Sequence, residues 1–198
     1  MLRSIPFAKA LRKPRLRLLR AVLAAALIAA PGASAQSSQA ESVDALHAAF
    51  LFNFAKFTTW PSVSDLDTSI KFCIQANKVG QSAFAGWGKK RIQNRPVRVA
   101  FFDQFSQSEL ANCSIMFIGE DPEGIDVGRL SQFAATHHML LVSDMEGFGA
   151  RGGQIELYQL NRRLRFKVNL GAMEQAKLSL GAGVLNLAEI VQTAGVPQ

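Results

Sequence analysis

Two short runs in this chain, CSIMFIG (113–119) and HMLLVSD (138–144), are almost unbroken in apolar residues. A strand with one face in water alternates apolar and polar side chains. A continuous run therefore reads as a strand covered on both faces. Covering both faces requires helices on each side, which strand–helix–strand crossovers supply.

The remaining segments fit that scheme. A helix is expected from an S-x-x-E capping box at Ser38 and Glu41 to about Thr58, before Pro61 ends it. Leu46, Phe50, Phe54 and Phe57 mark one stripe of it. SIKFCIQA (69–76) and RPVRVAFFD (95–103) read as strands, with a weak helix at 81–90 loosened by Gly86 and Gly88. Short helical stretches follow at 107–111 and, after the turn DPEG, at 127–136. The period then changes. GQIELYQL and NRRLRFKVNL alternate, which predicts a hairpin turning near Asn161 and Arg162. AMEQAKL and GAGVLNLAEIVQ close the chain as helical material. The reading is α/β: a single domain with a mixed, mostly parallel sheet flanked by helices, a C-terminal β-hairpin and a closing helix.

The N-terminus adds a separate element. A basic region (1–20) precedes the apolar run AVLAAALIAA and the small-residue site PGASA, the layout of a secretory signal peptide over residues 1–35, cleaved after Ala35. Ten apolar residues are short for a permanent span. The net charge of +7 comes from this segment alone. It holds seven basic residues and no acidic one, so residues 36–198 carry fifteen of each sign. A neutral domain offers little to nucleic acid, whose binding rests on neutralised phosphates. Export also permits oxidation of the two cysteines, Cys73 and Cys113. They read as one bridge, Cys73–Cys113, with two buried thiols as the alternative.

Catalytic patterns do not assemble. GFGARG (147–152) matches G-x-G-x-x-G, but a strand follows it where a dinucleotide site needs a helix, so a glycine-rich connection is the simpler reading. His137 and His138 are adjacent and would point to opposite faces of a strand, and no metal-ligand spacing occurs. Ser143 has no G-x-S-x-G context. Lys89, Lys90, Arg91, Arg95 and Arg98 read as a solvated face. No cofactor is expected.

Four segments in order, FLFNFAKFTTWP, GFGARGGQIELY, LRFKVNL and KLSLGAGVLNLAEIV, resemble the YfiR family of periplasmic proteins. The matching positions are Phe54, Lys56, Trp60, Pro61, Gly147, Phe148, Gly152, Gly153, Ile155, Phe166, Asn169, Ser179, Leu185 and Ala188. The resemblance implies a mixed α/β fold, a homodimer and a periplasmic regulator without catalysis. Such a regulator would bind the periplasmic domain of an inner-membrane diguanylate cyclase, lowering cyclic di-GMP and biofilm formation. Two departures stand out. Some members carry a further cysteine pair around the glycine-rich connection, where this chain has Gly149, Ala150, Arg151 and Glu156. Lys167 stands where an acidic residue is common.

On this reading the contact surface is the glycine-rich connection and hairpin: Phe148, Arg151, Tyr158, Arg163, Arg165 and Lys167. Tyr and Arg are favoured anchor types. Phe52, opposite the helix stripe, is the candidate for the dimer interface. The alternative is a periplasmic small-ligand binding protein. Its crevice would lie at the carboxyl ends of the strands, with Trp60, Trp87 and Phe148 as candidate lining.

Overall fold

The computed structural model describes residues 33–61, 69–119 and 124–195. The chain divides into two compact units, Met1–Ser37 and Ser38–Gln198, and the sheet and its packing belong to the second. The basic and apolar stretches read as an export signal lie outside the described residues. In chain order the elements are α1 (Ala33–Phe57), β1 (Thr58–Thr59), β2 (Ile70–Gln75), two 3₁₀ turns (Gln81–Phe84 and Trp87–Lys89), β3 (Arg91–Ile92) and β4 (Arg95–Phe102). Then come α2 (Gln107–Leu110), β5 (Ile115–Ile118), α3 (Val127–Thr136), β6 (Leu140–Ser143), β7 (Ile155–Leu160) and β8 (Arg163–Asn169). The chain continues through α4 (Leu170–Gln175), β9 (Ser179–Leu180), α5 (Ala182–Leu185) and β10 (Glu189–Val191).

Eight strands form one sheet in the order β10-β8-β7-β6-β5-β2-β4-β3. The pairs β2–β4, β2–β5, β5–β6, β6–β7 and β8–β10 are parallel, while β7–β8 and β3–β4 are antiparallel. The mixed, mostly parallel α/β sheet expected from the sequence is therefore present. All four residues of β5 and all four of β6 are buried. Their alternation divides them between two cores. Ile115, Phe117, Leu140 and Val142 join the cluster that includes Leu51 and Phe54 of α1. Met116, Ile118 and Leu141 join the cluster that includes Leu130 and Phe133 of α3. α3 starts where expected, with the Asp126 carboxylate accepting the Arg129 N–H at 3.1 Å, a cap worth roughly 1 kcal/mol.

α1 differs from expectation in two ways. Ser38 and Glu41 lie within the helix rather than at its start. Its buried face carries His47, Ala48, Leu51, Phe54 and Ala55, while Leu46 and Phe57 are exposed. The physical reason is the helical period: positions 47, 48, 51, 54 and 55 share one face, and Ala48, Leu51, Phe54 and Ala55 join the core cluster of Ile115 and Phe117 there, while Leu46 and Phe57 fall to its side. The weak helix at 81–90 is instead the pair of 3₁₀ turns, separated by Gly86 at φ 75°. Trp87 packs edge-on against Phe52, Phe72 and Phe84, with ring centroids 4.9–5.2 Å apart. At the C-terminus the helical material is short. α4 and α5 are followed by β10, which adds a parallel edge strand where GAGVLNLAEIVQ suggested a helix. β1 and β9 pair separately, with Gly181 N–H donating to Phe57 O at 2.9 Å.

Cys73 and Cys113 form a disulfide, with Cα atoms 5.9 Å apart and a sequence separation of 40. It is the bridge expected from the sequence, tying β2 to the segment entering β5. Closing a loop of that length stabilises by roughly 3–4 kcal/mol on the chain-entropy account. The Cys73→Ala/Cys113→Ala variant should lose about that much in urea unfolding, and adding reductant should then change it little.

His47 is buried on α1, its ring 5.7 Å from that of Phe117, and its Nδ1 has no hydrogen-bond partner. Desolvation lowers its pKa below the usual 6.5, with Asp144 and Asp44 opposing that shift. A depressed histidine pKa means the unfolded chain binds the proton first. The contribution is whole above the unfolded value and declines as pH falls through it toward the folded one. Urea unfolding at pH 7.5 and 5.5 should show a larger acid loss for wild type than for His47→Phe.

Candidate functional site

The glycine-rich connection between β6 and β7 is a compact turn. Gly147 and Gly152 take φ values of 71° and 98°, a region costly for side-chain-bearing residues. Gly153 N–H donates to Phe148 O at 2.9 Å. A Cβ on Gly153 would fall inside the Phe148 ring, so glycine is required there by contact. The ring has no exposed surface and belongs to the α3-side core. Phe148 is thus corrected from a surface anchor to a core residue. Its buried seat exists because Gly153 leaves room for it.

A buried carboxylate organises this end of the sheet. Glu156 on β7 is 1% exposed. One oxygen accepts the Gly149 N–H at 2.9 Å and the other pairs with Lys167 Nζ at 2.9 Å. Asn169 completes the tie. Its Nδ2 donates to Gly149 O and to Thr193 Oγ1, both at 2.9 Å, and its Oδ1 caps α4 at Ala172 N–H, 3.0 Å away. Ala194 N–H donates to Ala150 O at 2.8 Å. A side chain at Gly149 would press on Val191 Cγ2 at 2.8 Å. The connection, both hairpin strands and the segment after β10 are therefore held together. Sequence reading missed Glu156 as an organising group. It sits in an alternating strand at a position that reads as solvent-facing. Only the turn folding back over it buries it. Lys167 is its cross-strand partner.

The hairpin turns at Asn161 and Arg162, both at positive φ (51° and 61°), as a two-residue turn matching strand twist requires. Cross-strand register pairs Glu156 with Lys167, Tyr158 with Arg165 and Leu160 with Arg163. Residues two apart share a face. Tyr158, Arg163, Arg165 and Lys167 therefore lie on one face of the hairpin, opposite Leu157, Phe166 and Val168 in the core. β10 extends this face with Glu189, which accepts the Tyr158 hydroxyl at 3.0 Å. Lys167 Nζ lies 5.0 Å from the Tyr158 ring centroid. Arg163 and Arg165 are exposed, as are Leu160 at 46% and Ile190 at 48%. Arg151 is exposed on the connection, donating to Glu146 O at 3.3 Å. Phe52 is half-buried within its own chain, packed on Trp87 with Lys90 Nζ 4.9 Å from its ring centroid.

Among the described residues there is no metal-ligand cluster and no helix long and apolar enough to cross a membrane. Trp60, Trp87 and Phe148 do not share a pocket. Trp87 lies in the α1-side core and Phe148 in the α3-side core. A crevice of about 550 Å³ is lined by other residues, from Gln75, the loop after β4 and α3.

The hydrogen bond to Glu156 raises the Lys167 pKa above its usual value, against the opposing effect of desolvation. A raised lysine pKa gives stability that is full below the unfolded value and lost as pH climbs through the folded one. Lys167→Met leaves Glu156 buried without its cation and should cost about 2 kcal/mol near pH 7. Glu156→Gln/Lys167→Met should recover part of that loss, a coupling that chemical denaturation of the four-member cycle measures.

A family model described as YfiR/HmsC-like matches residues 44–189. Comparison with curated proteins gave no match. Among solved structures, the chain is similar to a conserved domain protein from Vibrio cholerae O1 biovar El Tor strain N16961, at 10% identity and a TM-score of 0.47. The alignment covers 74% of this chain and 59% of that one.

Proposed function

The chain belongs to the YfiR/HmsC-like family, a family of periplasmic regulators, and from that membership we propose that it is an exported, non-enzymatic inhibitor of an inner-membrane diguanylate cyclase. The observation that carries this reading is the family match over residues 44–189. Residues 1–35 act as the export signal, cleaved after Ala35, and residues 36–198 act as one domain that forms a homodimer. In this reading the protein binds the cyclase's periplasmic domain and lowers cyclic di-GMP.

The hairpin face supports a specific mode of contact. Lys167 is neutralised by Glu156, and Glu189 is engaged by Tyr158. Arg163 and Arg165 remain as exposed cations beside the exposed Leu160. Such a surface suits a partner patch with an apolar centre and acidic rim. Arg151 extends it toward the connection. Phe52 stays a candidate for the dimer interface through its accessible part.

Deleting the gene should raise cyclic di-GMP and biofilm, and unchanged levels would overturn the reading. Arg163→Glu/Arg165→Glu should abolish capture of the cyclase's periplasmic domain in a pull-down. It should leave the melting temperature unchanged, because both side chains are exposed.

A further inference from the structure

The crevice of about 550 Å³ lies where the chain changes direction across the sheet. From β2 the chain first adds β4 on one side, then crosses to add β5 on the other. The strands diverge in connection at that point, which opens a crevice at their carboxyl ends. Gln75, the last residue of β2, bridges it by accepting the Gly119 N–H just beyond β5 at 3.0 Å. Phe102, Ile118, Leu130 and Phe133 give it an apolar floor. Phe105 stands on its wall, edge-on to Phe133 at 5.2 Å and 46% exposed. The volume is that of small-molecule sites and far above ordinary packing voids.

The rim selects among ligands. It carries two carboxylates, Asp103 and Asp126, against one guanidinium, Arg129. The start of α3 points no free positive end at an anion, because Asp126 already caps it. Phosphates and carboxylates are thereby disfavoured. Gln104 and Gln107 offer amides that donate and accept. We propose that this crevice binds a small, flat aromatic or heteroaromatic molecule that is uncharged or cationic. Its ring packs against Phe105 over the apolar floor, and its polar edge meets the rim amides and carboxylates. The site is separate from the hairpin face, so it stands or falls independently of the regulatory reading. A ligand there would bias partner binding only through differential affinity for two states of the protein.

Amide NMR titration of the purified domain tests this directly. The probes are nicotinamide and 2-phenylethylamine, with nicotinate and phenylacetate as anionic counterparts. Nicotinamide and 2-phenylethylamine should shift amides at 103–105, 118–119 and 126–130 saturably, with the anions at least about tenfold weaker. Phe105→Ala should weaken binding about fivefold or more, in line with the value of an aromatic contact, while keeping the native spectrum. If that spectrum is lost, Gln104→Ala on the exposed rim carries the same comparison. No saturable shift at those amides with any probe, or anions binding as well as their counterparts, would overturn the proposal. Pull-down of the cyclase domain reads the hairpin separately, so failure of one idea is distinguishable from failure of the other.

Discussion

Every residue of β5 and β6 is buried, and the rest of the domain follows from that condition. A strand buried on both faces needs two separate apolar layers, and each must be closed by something other than the sheet. Ile115 and Phe117 look toward α1, while Met116 and Ile118 look toward α3. The two helices therefore have different constraints. α1 buries Ala48, Leu51, Phe54 and Ala55 in the first layer, and Phe50 and Phe54 pack edge-on beside Phe166. α3 is a short helix set over the second layer and fixed at its start by Asp126. The disulfide lies in this second layer too, tying β2 to the entry of β5.

At the far end of the sheet the same need to cover apolar strands meets a buried charge. Glu156 is tolerated because every one of its demands is met locally, by a backbone N–H and by Lys167. That arrangement requires the β6–β7 connection to fold back over β7, and its glycines allow the approach. Gly153 admits the Phe148 ring, Gly149 admits Val191, and Gly147 and Gly152 adopt the necessary positive φ. Residues that look like a nucleotide-binding fingerprint are thus accounted for by packing. The connection is tied to the hairpin at Glu156 and Lys167, and the end of the same face nearer the turn presents Arg163 and Arg165.

The domain consequently offers two surfaces of different character. One is the hairpin face, charged, on the antiparallel strands β7 and β8 beside the edge strand β10. The other is the crevice at the carboxyl ends of the parallel strands, concave and aromatic. They depend on different elements, and among the described residues neither holds a metal-ligand cluster.

The sequence by itself determined the class of fold. Continuous apolar runs at β5 and β6 demanded a two-sided sheet, and the alternation around Asn161 and Arg162 located the hairpin and its turn. It also placed Tyr158, Arg163, Arg165 and Lys167 on strands, because a period of two is a local property. Tertiary structure alone decided which helix face is buried, since apolar residues surround α1 on several sides. It decided the fate of the last apolar segment, which becomes β10 because β8 offers an open edge. It decided that Phe148 is core and Glu156 is buried. Both depend on a turn closing over a strand, and no spacing along the chain records how closely two distant backbones will approach.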